Sequence, residues 1–173
     1  MIVTDKVALS KPTELVNSFS EAYSIIDNLY AEMVRHPALG LAANQIGVDK
    51  SVFVISIPET TEEGKTFYYT QHFVNPEIVS LQEPFWFTGE GCLSFPDTPR
   101  FTTLRYGKVI IKDMLSPEGR TFTGLAAVVV QHESDHIFGK TFHQAAKSAL
   151  GPNSQCPCRS GKKFKKCCQL AVR

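Results

Sequence analysis

Apolar positions along this chain follow two periods. Ala22, Ile25, Ile26, Leu29 and Met33 recur at three- and four-residue steps, the spacing of one helix face. Ser18 and Glu21 stand just ahead with the residue types of a capping box, so a helix is predicted to begin there and to end near His36 and Pro37. A second helix is predicted over residues 125–138, an apolar run of helical length with no Pro or internal Gly that stops before Gly139. Between the two, residues 51–57, 67–73, 77–81 and 109–112 are rich in β-branched and aromatic side chains and are separated by turn signals, so they read as strands. Ser116-Pro117-Glu118-Gly119 reads as a turn into the second helix. The expected fold is α+β, with strands wrapped around one central helix and no internal repeat.

The second helix also carries chemistry. His132 and His136 lie four residues apart, so both imidazoles share a face, and Glu133 stands beside them. Two histidines on a buried helix would otherwise need polar partners among Leu125, Val128 and Val129, and a shared metal ion is the simpler arrangement. A catalytic metal needs a third protein ligand and one open position. Cys92, the only cysteine in the first 155 residues, is the candidate, in Gly89-Glu90-Gly91-Cys92-Leu93-Ser94. One thiolate and two imidazoles suit zinc or ferrous iron. The competing fate of Cys92 is that of a small buried hydrophobe. Glu133 is free to handle protons; its plainer reading is a solvated helix carboxylate.

Three blocks in a fixed order resemble the peptide deformylase family. They are Gly40-Leu41-Ala42-Ala43-Asn44-Gln45-Ile46-Gly47, then Glu90-Gly91-Cys92-Leu93-Ser94, then Gln131-His132-Glu133-Ser134-Asp135-His136. The likeness spans about residues 20–142; Ala38 stands where the family has a leading glycine, and the first twenty residues match poorly. The resemblance implies metal ligation by Cys92, His132 and His136. Ferrous iron is the implied ion, with Zn2+, Ni2+ or Co2+ as substitutes. It further implies that Glu133 is the general base and acid, and that Gln45 and the backbone N–H of Leu93 donate to the oxyanion. Leu39, Gly40, Leu41, Val128 and Val129 align with positions around a methionine pocket, although most would be core residues in any fold. Arg100 and Arg105 sit one place later than the family's arginine spacing, which an added residue around residues 97–99 would explain. Arg100 is expected near the peptide backbone and Arg105 near Glu90, with solvation as the alternative for each.

Charge divides the chain. All 17 acidic residues lie at or before Asp135; residues 1–139 carry 10 Lys or Arg and are net −7, whereas residues 140–173 carry eight and no acid, giving +1 overall. That basic end holds Cys156, Cys158, Cys167 and Cys168, four thiols spaced for a single tetrahedral ion. Disulfides are the alternative, disfavoured because the catalytic thiolate and the lack of a signal-peptide pattern point to a reducing compartment. The segment resembles the SEC-C motif, a small zinc-binding module, with Arg159 where that family usually has glycine. Structural Zn2+ is implied there. Its five basic residues between the cysteine pairs suit a ribosome surface or an acidic partner, or simply solvation.

The resulting expectation is a catalytic unit over residues 1–146, a linker over 147–155 and a zinc module over 156–173. With 173 residues and 43% hydrophobic composition the chain can bury a core, and no segment has the roughly 18 apolar residues needed to cross a membrane. A cytoplasmic monomer is expected, acting on nascent N-formylated polypeptides. The competing functions are a general metallopeptidase, and a non-catalytic protein delivered to a partner by its tail.

Overall fold

The computed structural model describes residues 1–158 and 160–172; Arg159 and Arg173, and with them the glycine-to-arginine departure in the tail, lie outside the described residues. The order is α1 (Lys6–Leu9), α2 (Phe19–Arg35), β1 (Gly40–Ala42), β2 (Val52–Thr60), β3 (Thr66–Val74), β4 (Glu77–Glu90), β5 (Phe101–Asp113), β6 (Ser116–Thr123) and α3 (Gly124–Ile137), followed by short 3-10 turns. Two antiparallel sheets form, β1-β2-β3 and β4-β5-β6.

The helix α2 starts where its cap lies: the Ser18 hydroxyl accepts from the Glu21 N–H at 3.2 Å. The reciprocal arm goes to the neighbour, because Glu21 accepts from the Asn17 N–H at 3.3 Å. Its apolar face, Ala22, Ile25, Ile26, Leu29 and Met33, packs with Leu41, Val52, Val54 and Val74 into one core cluster. A second cluster holds the molecule's two sheets together through α3. Phe53, Ile55 and Phe73 from one sheet meet Val109, Ile111 and Phe122 from the other, with Ala127, Val129, Val130 and Ile137 of α3 among them. Burial on both sides explains why α3 reads as almost continuously apolar up to Gln131.

Several boundaries differ from the sequence reading. β4 and β5 are far longer than residues 77–81 and 109–112, since they pair with each other from Glu77↔Lys112 to Glu90↔Phe101. Ser116-Pro117-Glu118-Gly119 is strand rather than turn; the reversal falls at Met114 and Leu115, where Asp113 accepts from the Leu115 and Ser116 N–H groups. Polar composition hid β6, which faces outward at Pro117 and Glu118 and sends Phe122 into the core cluster. The segment at Gly40, to which no element was assigned from the sequence, is a three-residue strand, and a 3-10 turn follows it over Ala43–Ile46.

Candidate active site and metal centres

The side chains of the site come from three elements. His132, Glu133 and His136 project from α3, Gln45 from the 3-10 turn after β1, and Cys92 and Leu93 from the turn after β4. The Cys92 sulfur and a nitrogen of each imidazole lie within 4.8 Å of one another. Cys92 Sγ is 3.2 Å from His136 Nε2. His132 turns its Nδ1 to Glu90 Oε1 at 2.7 Å, which places the proton on Nδ1 and leaves Nε2 as the free lone pair. The donor set, a thiolate and two imidazoles, fits one soft or borderline divalent ion.

Glu90 is itself held. Thr103 Oγ1 donates to it, and Arg105 forks onto it through Nε at 2.8 Å and through Nη2, while Arg105 Nη1 reaches Asp135 at 2.7 Å. Burial alone would raise the Glu90 pKa, but the Arg105 charge and its hydrogen bonds outweigh that and hold the carboxyl far below the ordinary carboxylate range. The Arg105–Glu90 pair expected from spacing is therefore present, and it is buried rather than solvated. Sequence reasoning missed what that pair serves: the imidazole of His132. A carboxylate next to a candidate thiolate ligand was the available signal.

Glu133 is buried, and among the described residues its Oε2 has no hydrogen-bond partner. Desolvation pushes its pKa up to about 7. Gly40 makes room for it, since a Cβ there would stand 2.6 Å from Glu133 Oε1 and 2.8 Å from Val129 Cγ1. His136 is held well below its usual value chiefly by burial, so its ring stays neutral, the ligating form. Its Nδ1 is also buried with no partner among the described residues.

Gln45 is oriented by a hydrogen bond from the Ala42 N–H to its Oε1 at 2.9 Å. That turns the amide's donor end toward Ser94 Oγ at 3.1 Å and Cys92 Sγ at 3.4 Å. A cavity of about 430 Å³ opens over Cys92, His132 and Glu133 and is lined by Leu39, Gly40, Gln45, Leu93, Val128, Val129 and Arg100. Leu41 does not line it. It is fully buried in the α2 cluster, because alternation along β1 turns it away from the side where Gly40 meets Glu133. Arg100 borders the cavity with its Nη1 on the Gly89 carbonyl at 2.9 Å.

The four tail cysteines form a second cluster, all sulfurs within 4.8 Å of one another. A tetrahedral ion with metal–sulfur bonds of about 2.3 Å separates its sulfurs by about 3.8 Å, so the set fits one ion. All five cysteines are free thiols. Burial would raise the Cys158 pKa, but hydrogen bonds from Ser160 and the neighbouring thiols bring it down to about 6, near the thiolate that ligates.

A family profile for polypeptide deformylase matches residues 1–150, and one for the SEC-C motif matches residues 153–170. The peptide deformylase of Teredinibacter turnerae is 37% identical over 139 residues, covering 78% of this chain and 76% of the relative. That of Pseudomonas aeruginosa is 35% identical over 144 residues with the same coverages. Among solved structures, a probable peptide deformylase from a Synechococcus phage superposes with a TM-score of 0.69 at 35% identity, covering 84% of this chain and 98% of that one. A Met-Ala-Ser-bound class I type b enzyme from Acinetobacter baumannii gives 0.68 at 27% identity, covering 84% and 96%. A mixed sheet-and-helix fold around paired histidines, a cysteine and a buried glutamate, together with these matches, makes this chain a member of the peptide deformylase family, extended by an SEC-C motif.

Proposed function

We propose that the chain removes the formyl group from N-formylmethionine at the start of new polypeptides, releasing formate, with Cys92, His132 and His136 holding the catalytic ion. The observation that carries the reading is the convergence of those three ligand atoms beside the unpartnered Oε2 of Glu133 in one cavity. Peptide deformylases are metalloenzymes acting on nascent peptides, and ferrous iron is the ion proposed here, with Zn2+, Ni2+ or Co2+ able to replace it. A divalent ion in this pocket would lower the pKa of a water toward neutrality.

The chain's residues do the rest. Glu133, its pKa near working pH, takes the proton as the water's oxygen bonds to the formyl carbon. The Gln45 amide and the Leu93 N–H donate to the carbonyl oxygen as it gains charge. When the C–N bond breaks, Glu133 returns the proton to the departing amine, so one water is consumed and formate and a free amino terminus are produced. Glu90 keeps His132 in the tautomer and orientation that ligation needs. Leu39, Gly40, Val128 and Val129 take the methionine side chain, and Arg100 lies at the cavity edge for the peptide backbone.

The proposed division is catalytic residues 1–146, a linker over 147–155 and a structural zinc module from 156 onward, in a cytoplasmic monomer. Among the described residues no helix is long and apolar enough to cross a membrane. Lys162, Lys163, Lys165 and Lys166 are exposed and offer an anionic partner such as the ribosome a docking surface. Their replacement by Ser should weaken a salt-sensitive ribosome pull-down; an unchanged pull-down would remove the docking reading.

Anaerobic purification, metal analysis and a formate assay with formyl-Met-Ala-Ser test the whole reading. One catalytic divalent ion plus one zinc per chain with rapid release is expected. Zinc alone with no release, even after iron is supplied, would favour a binding protein.

A further inference from the structure

The strand β5 faces both metal centres at once. Side chains alternate across a strand. Thr103 and Arg105 point to Glu90 and so to His132, whereas Leu104 and Tyr106 share a cluster with Cys156, Cys168 and Phe164. Trp86, opposite Leu104 in the register, meets the Phe164 ring edge-on at 6.2 Å. The tail is thus seated on the outer face of the strand pair that carries the support of the active site.

One residue joins the two sides. The Tyr106 hydroxyl stands 3.2 Å from Cys168 Sγ and is buried there. A phenol at neutral pH is a hydrogen-bond donor, and a ligating cysteine is an acceptor only, so the proton lies on oxygen. The backbone of the same residue is clamped by Gln131: the Tyr106 N–H donates to Gln131 Oε1 at 3.0 Å, and Gln131 Nε2 donates to the Tyr106 carbonyl at 2.9 Å. Gln131 directly precedes His132 on α3, and Arg105 directly precedes Tyr106 on β5. A cavity of about 470 Å³ at this seam is lined by Arg105, Gln131 and Asp135 of the body together with Cys156 and Pro157 of the tail.

We propose that Tyr106 is a positioning residue linking the tail's four-cysteine centre to the catalytic histidine: Cys168 fixes Tyr106, and Tyr106 fixes β5 against α3 where Arg105, Glu90 and Gln131 set the orientation of His132. The tail then acts as a working part of the enzyme rather than an appended module. This inference rests on the reading of Cys92, His132 and His136 as the catalytic centre. The chain of contacts is short and buried from Cys168 through Tyr106 to Gln131 and Glu90, with only the last link to His132 half-buried, so a loosened tail is felt at His132 through two routes, Arg105–Glu90 and Gln131.

The test uses the full chain with nickel at Cys92, His132 and His136 and zinc at the tail cysteines, so elemental analysis tells the centres apart. Tyr106→Phe keeps the ring and removes one hydroxyl. Zinc loss to a chelator should quicken about tenfold, as for other partners of metal ligands. Nickel loss should quicken too, and kcat per bound nickel should fall with KM unchanged. Cys168→Ser should do the same, and the double variant should be no worse than the more damaged single one, since both break one link. Additive losses, or a Tyr106→Phe chain that sheds zinc faster while its nickel retention and kcat stay at the wild-type level, would overturn the inference. A nickel-loaded wild type that releases no formate would defeat the catalytic reading instead, and the nickel-loss comparison would still decide this one.

Discussion

Glu133 is a carboxyl with one oxygen pressed against Gly40 and the other left without a partner. Burial of that kind costs stability and is retained where a proton has to be moved. Glu133→Ala is expected to keep the bound ions and to lower formate release by about 10²- to 10⁴-fold, the range of a lost general base; metal analysis and the formate assay on one sample check both. Arg105 is the opposite case, a cation whose value lies in the charge it covers. Arg105→Met would strand Glu90 in a buried site, and a loss of about 3–5 kcal/mol is expected from the denaturant midpoint. Gln45, Cys92, His132, Glu133 and His136 were legible before any fold was known, because each lies in a short contiguous block. Thr103, Asp135 and the role of Glu90 were not, because their meaning arises only when β4, β5 and α3 meet. Leu41 misled for the same reason: an apolar residue beside a motif glycine has two faces to choose between, and only the strand direction decides.

At the scale of elements, α2 was readable from its apolar spacing, α3 from its apolar run, and β2 and β3 from their branched and aromatic content, whereas the one-turn α1 was too short to leave a pattern. The long β4–β5 pair was not, since Gln82, Glu83 and Pro84 interrupt the pattern and Glu83 takes a positive φ of 60°. β3 and β6 are tied across the two sheets by Arg120, which donates to Gln71 Oε1 at 2.6 Å and the His72 carbonyl at 3.1 Å and lies 4.4 Å over the Phe73 ring. Its charge acts on His72. Burial lowers the His72 pKa, Arg120 lowers it further, and Asp113 opposes them. The folded value thus lies below the unfolded one of about 6.5, so the neutral ring favours folding. That contribution is present above about pH 6.5 and is lost as pH falls toward the folded value. His72→Gln should flatten the acid side of the stability curve, as read from denaturant midpoints on either side of about pH 6.5; an unchanged slope would assign the acid sensitivity elsewhere.

For the molecule as a whole, two ligand clusters that could each hold an ion sit on opposite sides of β5, in a chain divided between an acidic body and a basic end. The composition exposed that division and the four clustered thiols, but nothing in it said that the tail would be seated on Leu104, Tyr106 and Trp86. Seating depends on an outward strand face, at Trp86, Leu104 and Tyr106, in stretches that the pattern did not mark as strand. Stripping the tail ion should therefore unfold more than the tail. A melting temperature lower by about 2–8 °C is expected, the shift that a loss of about 1–2 kcal/mol gives in a chain of this size. A melt unchanged after zinc removal, followed by calorimetry on the same sample, would mean the seating is held by packing alone.

The clamp of Gln131 on Tyr106 has a further consequence. Between Phe101 and Gly107, β5 pairs with β4 on one side, while β6 joins its other side only from Lys108 onward. A bare strand border of that length is a template on which a neighbouring chain can add itself, the first step toward fibrous association in a crowded cell. The Gln131 amide occupies that border at Tyr106 as a stray peptide group would, and Ala146 closes it at Thr103 through a single bridge. A residue that belongs to the catalytic helix thereby also serves as a stopper, so drift at this position would be penalised by self-association even where turnover survived.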